Sequence, residues 1–245
     1  MTILERNCNS LNGTDFGKTI INTTGDQHRD DIFYNEIMNG NFPDFMRDFA
    51  PITIVDGNNT LKYFVSGDVI SVGSNEDYLR ISINAKTGKK ICNALDCFLP
   101  TKKISDDIWK FSDLKLIPRP MLASPNMVNT QTLIMHNEAI NKQINGANFT
   151  LLSGHKKDIV NCKHLLLDNS KVAIYGWHLN GGVIQGLNST SHNAYYEDYS
   201  QSCRLVSRNA IFNDKEIDMY DVLNNPNLCH LISDEGNYDA SNIYS

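Results

Sequence analysis

The sequence predicts a mixed α+β fold: a helical N-terminal segment packed on a mainly antiparallel, strand-rich body. Three observations carry that reading. Apolar residues recur at helical three-four spacing before Asn39-Gly40; the period changes to two from Pro51; and after Gly146 the apolar runs are short and bounded by turn residues. At 245 residues the chain predicts one domain, 1–245. A subdivision into a helix-plus-sheet half (1–117) and a strand-rich half (126–245) is the alternative.

In order along the chain, Asp26 is placed to cap a helix with Ile32, Phe33, Ile37 and Met38 on its apolar side, stopped by Asn39-Gly40. Pro43 suits the first turn of a second short helix, and Phe42, Phe45, Met46 and Phe49 form a core-facing stripe. Ile52–Val55 and Leu61–Val65 form a hairpin around Asp56-Gly57, because Asp-Gly supplies the positive φ of a tight turn. Strands follow at 69–72 and 78–83, then helices at 87–95 and 105–111, the second capped by Ser105. Ile117-Pro118-Arg119-Pro120 and Pro125 mark a linker, and 128–144 is the longest helical pattern. Short strands are expected at 149–152, 159–161, 172–175, 183–187 and 204–206, with a helix at 217–223 and a polar tail from Asp234. No internal repeat is present.

The formal charge is -6, with basic side chains dispersed and no denser than pairs such as Lys89-Lys90. A nucleic-acid binder concentrates Lys and Arg on one face to neutralise phosphates, so no nucleic-acid partner is predicted. No run approaches the ~20 apolar residues that span a bilayer, so no membrane partner is predicted. The opening Met1-Thr2-Ile3-Leu4-Glu5-Arg6 has no leader-like apolar stretch, which predicts a cytoplasmic setting with export by another route left open. Six cysteines without a C-x-x-C pair read as reduced and mostly buried thiols. Sequons, among them Asn188, are expected by chance in so asparagine-rich a chain.

Chemistry concentrates between Ser153 and Arg204. His192, Asp198, Ser200 and Arg204 are the predicted catalytic residues: general base, orienting carboxylate, nucleophile or donor, and anion clamp. Lys157, Asp158, Trp177, His178 and Gln185 are predicted to bind substrate. The structural readings stand beside these: His178 as a backbone-bonded core histidine, Ser191-His192 as a plain exposed loop, Asp198 and Arg204 as a loop-fixing ion pair. His178, His192 and Asp198 have no compact ligand spacing, and no phosphate loop, dinucleotide turn or H-E-x-x-H helix occurs. A chemistry without metal or cofactor is therefore expected.

Two resemblances add to this reading. Ser200-Gln201-Ser202-Cys203-Arg204 resembles the Ser-His-Gly-Cys-x-Arg signature of L,D-transpeptidases, but Gln201 and Ser202 replace its His and Gly, and Cys203 before Leu205-Val206 reads as a buried small hydrophobe. Over nearly its whole length the chain resembles a family of mostly uncharacterised, often exported bacterial proteins with the elements G-x-K-K-D-[IV]-V, I-Y-G-W-H, P-I-Q-P-L and D-Y-S-H-G-x-R-L. The matching residues are Gly154 with Lys156–Val160, Ile174–His178, Ile184-Gln185 with Leu187, His192, Asp198–Ser200 with Arg204-Leu205, and Ile232–Gly236. Val183, Gly186 and Gln201-Ser202 depart from it. The resemblance implies a shared site and, through its exported members, an envelope or other extracellular polymer as substrate. The expected function is a hydrolase acting on such a polymer or a small molecule, oligomeric state open. The alternative is a non-catalytic binding or structural protein, a degenerate family member or particle component.

Overall fold

In this computed structural model, residues 4–187 and 192–245 are described; the Asn188 sequon and Ser191 lie outside them. The N-terminal layer holds α1 (Gly13–Thr19), capped by the Asn12 side chain on Asp15 N, and α2 (Gln27–Met38), capped by Asp26 on Arg29 N. The second cap is the one the sequence predicts, and Asn39 ends the helix as expected. Pro43 stands just ahead of a single 3₁₀ turn, Asp44–Met46, rather than inside a longer helix.

The hairpin forms as predicted, with β1 (Ala50–Asp56) against β2 (Asn59–Val65) in a register that sets Asp56 opposite Asn59 and leaves Gly57 at φ 57°. Next come β3 (Ser71–Gly73), β4 (Tyr78–Arg80), α3 (Ala85–Ala94), β5 (Cys97–Phe98), α4 (Lys102–Phe111) and β6 (Leu114–Lys115). Thr101, not Ser105, caps α4: its hydroxyl accepts from Ile104 N, and Ser105 lies one turn inside. The proline-rich segment runs without regular structure to a 3₁₀ turn at Pro125–Val128, and α5 (Thr130–Ile144) ends at Asn145 in the left-handed region.

The second half supplies β7 (Leu152–Ser153), β8 (Lys157–Ile159), β9 (Ile174–Leu179), β10 (Gly182–Gln185), β11 (Gln201–Ser202), β12 (Val206–Ser207), β13 (Asn209–Phe212), β14 (Lys215–Asp218) and α6 (Met219–Asn224). The helix expected over 217–223 thus begins later, because Ile217 and Asp218 complete the β13–β14 hairpin. A six-stranded antiparallel sheet runs β14-β13-β2-β12-β5, with β1 on β2; a four-stranded sheet runs β10-β9-β8-β11, in which only β11 and β8 are parallel. The predicted α+β class is therefore the observed one, and the sheets are mainly antiparallel.

One hydrophobic cluster draws on residues from Phe16 to Tyr244. It includes the tail that the sequence leaves as a polar end: Tyr238, Ala240, Ile243 and Tyr244 are buried. Tyr244 Oη accepts from Ala173 N at 2.9 Å and donates to Val160 O at 3.0 Å, bridging the backbone that leaves β8 and the backbone that enters β9. A buried tyrosine keeps its hydroxyl satisfied in this way. Among the described residues no helix is long and apolar enough to cross a membrane.

Candidate functional site

The four-stranded sheet carries most of the residues singled out above, and a positive-φ kink in β9 decides which face each one serves. In β9, Gly176 has φ 127° and Trp177 has φ 55°. A bulky residue at positive φ is an uncommon conformation, costing on the order of 1–3 kcal/mol, held only where the surroundings fix it. Here Trp177 Nε1 donates to His155 O at 3.1 Å and the ring is buried. These two positive-φ residues interrupt the alternation of side chains without shifting the register against β10. Tyr175 and His178 consequently share a face, their rings 5.5 Å apart, while Trp177 turns to the other face.

On that other face lies a chain of contacts leading inward from the surface. His192 is exposed and stacks flat on Tyr196, centroids 3.7 Å apart. Tyr196 Oη donates to Asp198 Oδ2 at 2.9 Å. Asp198 also accepts from Ser200 N at 2.7 Å and from Ser200 Oγ. Lys157 Nζ lies 3.9 Å from Asp198 Oδ2 and 4.7 Å from the centre of the Trp177 ring. Parallel pairing of Gln201 with Lys157 and a Lys157 N to Ser200 O hydrogen bond of 2.9 Å bring the two strand segments together.

Electrostatics follow from burial and pairing. Burial alone would raise the Asp198 carboxyl, but Lys157 and the hydrogen bonds from Ser200 and Tyr196 outweigh it and hold Asp198 below its usual range. Desolvation pulls Lys157 down from its ordinary value, with Asp198 opposing. Tyr196 is pushed up, by burial first and then by the Asp198 charge, so it keeps its proton. The next residue, Lys156, is enclosed: Nζ donates to Tyr199 O, and desolvation takes its pKa down to about 7.

His192, Asp198, Ser200, Lys157 and Trp177 are thus brought together. Arg204 is not. Its guanidinium is fully buried and donates to Ser66 O at 3.0 Å and Leu152 O at 2.8 Å, so it clamps backbone rather than presenting itself to a ligand or pairing with Asp198. Ser200 is fully buried with its hydroxyl engaged by Asp198, which suits a hydrogen-bond donor better than a nucleophile. Cys203 is likewise fully buried, the small hydrophobe its neighbours predict.

Asp158 and His178 occupy the opposite face, against α4. Asp158 Oδ2 accepts from Ser105 Oγ at 2.7 Å. His178 Nε2 lies 2.9 Å from Asp106 Oδ1, and its ring stacks on Trp109 at 5.6 Å. His178 is therefore fixed by a side chain, not by backbone, and does not meet His192 and Asp198 as a two-histidine, one-carboxylate set. Asp106 also accepts from Tyr175 Oη at 2.7 Å and Lys102 Nζ at 2.8 Å. Burial would raise Asp106, yet these three donors carry it down to about 2. Gln185 stays apart, half-buried at the edge strand with its amide on Gly186 O.

Compared with family models, with curated proteins and with solved structures, the chain matches none. Residues that the sequence reading missed include Tyr196, the link between His192 and Asp198, and Asp106, whose only signal is the four-residue spacing from Lys102. A further buried network joins Asp68 to Arg80 at 2.7 Å and to His155 at 2.8 Å. Burial opposes ionisation of Asp68, but Arg80 and His155 hold it well below the carboxylate range.

Proposed function

We propose that the chain is a hydrolase-type acid–base enzyme working without a metal, with Lys157, Asp198, Tyr196 and His192 as its working groups. The observation that carries this reading is the graded line of contacts from exposed His192 through Tyr196 to the Asp198–Lys157 pair. Each group has a task its surroundings suit. Asp198 stays ionised and orients its donors; Tyr196 remains protonated and donates; the desolvated Lys157 gives up its proton more readily than a surface lysine. His192 is the exposed base that first meets substrate. An envelope or other extracellular polymer as substrate rests on the resemblance to exported bacterial proteins alone.

A second reading, a non-catalytic binding protein, is favoured by one observation. Gln201, where the resembled family carries histidine, is fully buried and donates to Tyr196 O at 2.7 Å and Ile83 O at 3.2 Å, so this position supplies no imidazole. Turnover of wall-polymer, glycoside and amide substrates by the wild-type chain and by His192→Ala, Asp198→Asn and Lys157→Met separates the two. Activity lost in each variant with the circular dichroism spectrum intact supports the enzyme. Binding of one of those polymers with no turnover in the wild type supports the alternative.

A further inference from the structure

Just after β11, the structure brings two thiols together. Cys92, in α3, and Cys203, just after β11, are 111 residues apart in sequence, yet their sulfurs lie 3.7 Å apart and both side chains are fully buried. Gly88, one turn before Cys92, packs against the same thiol: a Cβ there would stand in ordinary van der Waals contact, 3.7 Å from Cys203 Cβ and 3.8 Å from its sulfur. The other cysteines face oxygen atoms or solvent. Cys97 Sγ lies on Leu95 O, Cys162 on Glu235 Oε1 and Cys229 on Pro226 O, whereas Cys8 is exposed.

We propose that Cys92 and Cys203 are a modification site at which a small two-electron oxidant of the peroxide class forms an internal disulfide within the native fold. One thiolate attacks hydrogen peroxide, breaking the O–O bond to give a sulfenic acid and hydroxide, which takes up the thiol's proton as water. The second thiol attacks the sulfenic sulfur, forming the S–S bond and releasing a second water. Both sulfurs are oxidised by one electron each and the peroxide is reduced.

A disulfide sulfur pair stands about 2.05 Å apart, so the two atoms must close by somewhat under ~2 Å, within reach of side-chain rotation and a small backbone shift. The segment that moves is tied to the candidate site. Ser202 Oγ donates to Ile81 O at 2.7 Å and Gln201 Nε2 to Ile83 O, so tension at Cys203 passes directly to β11 and the Ser200 backbone that meets Lys157. The inference does not depend on the enzymatic reading of that site. The bond to Cys203 and burial both push the Cys92 thiol up, so oxidation is slow at neutral pH and faster in mild alkali.

The test uses the full chain with Cys8→Ser, which removes the exposed thiol and leaves five of the six. Treatment with hydrogen peroxide at about pH 8.5, followed by denaturation and thiol titration, is expected to lower the count from five to three. Mass spectrometry of the unreduced digest should then join the peptides of Cys92 and Cys203, and dithiothreitol should restore all five thiols. The oxidised chain should also melt at a higher temperature than the reduced one, since the bond closes a long loop in the unfolded state. The proposal is overturned if five thiols persist while near-ultraviolet circular dichroism shows an intact fold. It is equally overturned if the bond joins any other pair, or forms only after the native spectrum is lost.

Discussion

Lys157 Nζ stands 3.9 Å from Asp198 Oδ2, with the Trp177 ring along its other side. The separation is long for a hydrogen bond, and the carboxylate has nearer donors in Tyr196 and Ser200. Removing the acceptor therefore strands more groups than removing the lysine. Asp198→Ala should cost about 3 kcal/mol in chemical denaturation, the scale of unpairing buried polar groups, and Lys157→Met less than about 1 kcal/mol. Equal losses from the two variants would contradict this order.

Buried carboxyls where α2 meets the second half give a pH signature of opposite sense to an ordinary ion pair. Asp30 and Glu197 adjoin each other beside Arg29, and burial raises Asp30 from 3.8 to about 6. Because the folded state holds a proton that the unfolded chain releases, stability is greatest below pH 4 for this group and falls as pH rises from about 4 through about 6. Asp30→Asn should flatten that part of the stability profile measured by urea melts.

Lys156 supplies the complementary slope. With its pKa taken from 10.5 to about 7 by desolvation, the folded chain binds fewer protons than the unfolded one between those values. Stability should therefore climb as pH rises above about 7, and Lys156→Met should climb less steeply there. Thermal melts at several alkaline pH values decide the matter, provided the melts stay reversible.

Asp106 acts at the acid end. Its three donors take it from 3.8 to about 2, so the stability it provides is present above pH 4 and is lost as pH falls through about 2. Asp106→Asn should remove that loss and also free His178. The imidazole resonances of His178 should then broaden or shift, while those of His192, on the other face, stay in place.

What the sequence made legible was local. The α2 cap at Asp26 and the Asp56-Gly57 hairpin are governed by neighbours a few residues away, and both formed as expected. Ser105 shows where local reasoning ends. As a capping residue type near a helix start it is plausible, yet Thr101 takes that place and Ser105 turns to Asp158, 53 residues distant. The candidate site divides in the same way. Asp198 and Ser200 lie close in sequence and meet, with His192 joined to them through Tyr196, whereas Arg204 sits beyond the end of β11 and is drawn into the interior by the carbonyls of Ser66 and Leu152, 138 and 52 residues away. His178 shares the Tyr175 face because Gly176 and Trp177 take positive φ, a backbone event that residue spacing does not announce.

The Tyr244 hydroxyl sits between Val160 and Ala173, beneath strands made some seventy to eighty residues earlier. During synthesis those strands emerge well before the group that completes their hydrogen bonding. The centre of the molecule must therefore wait, incompletely closed, until Tyr244 has left the ribosome. A tag or fusion that holds residues 238–244 away from the body would leave the same gap permanently open.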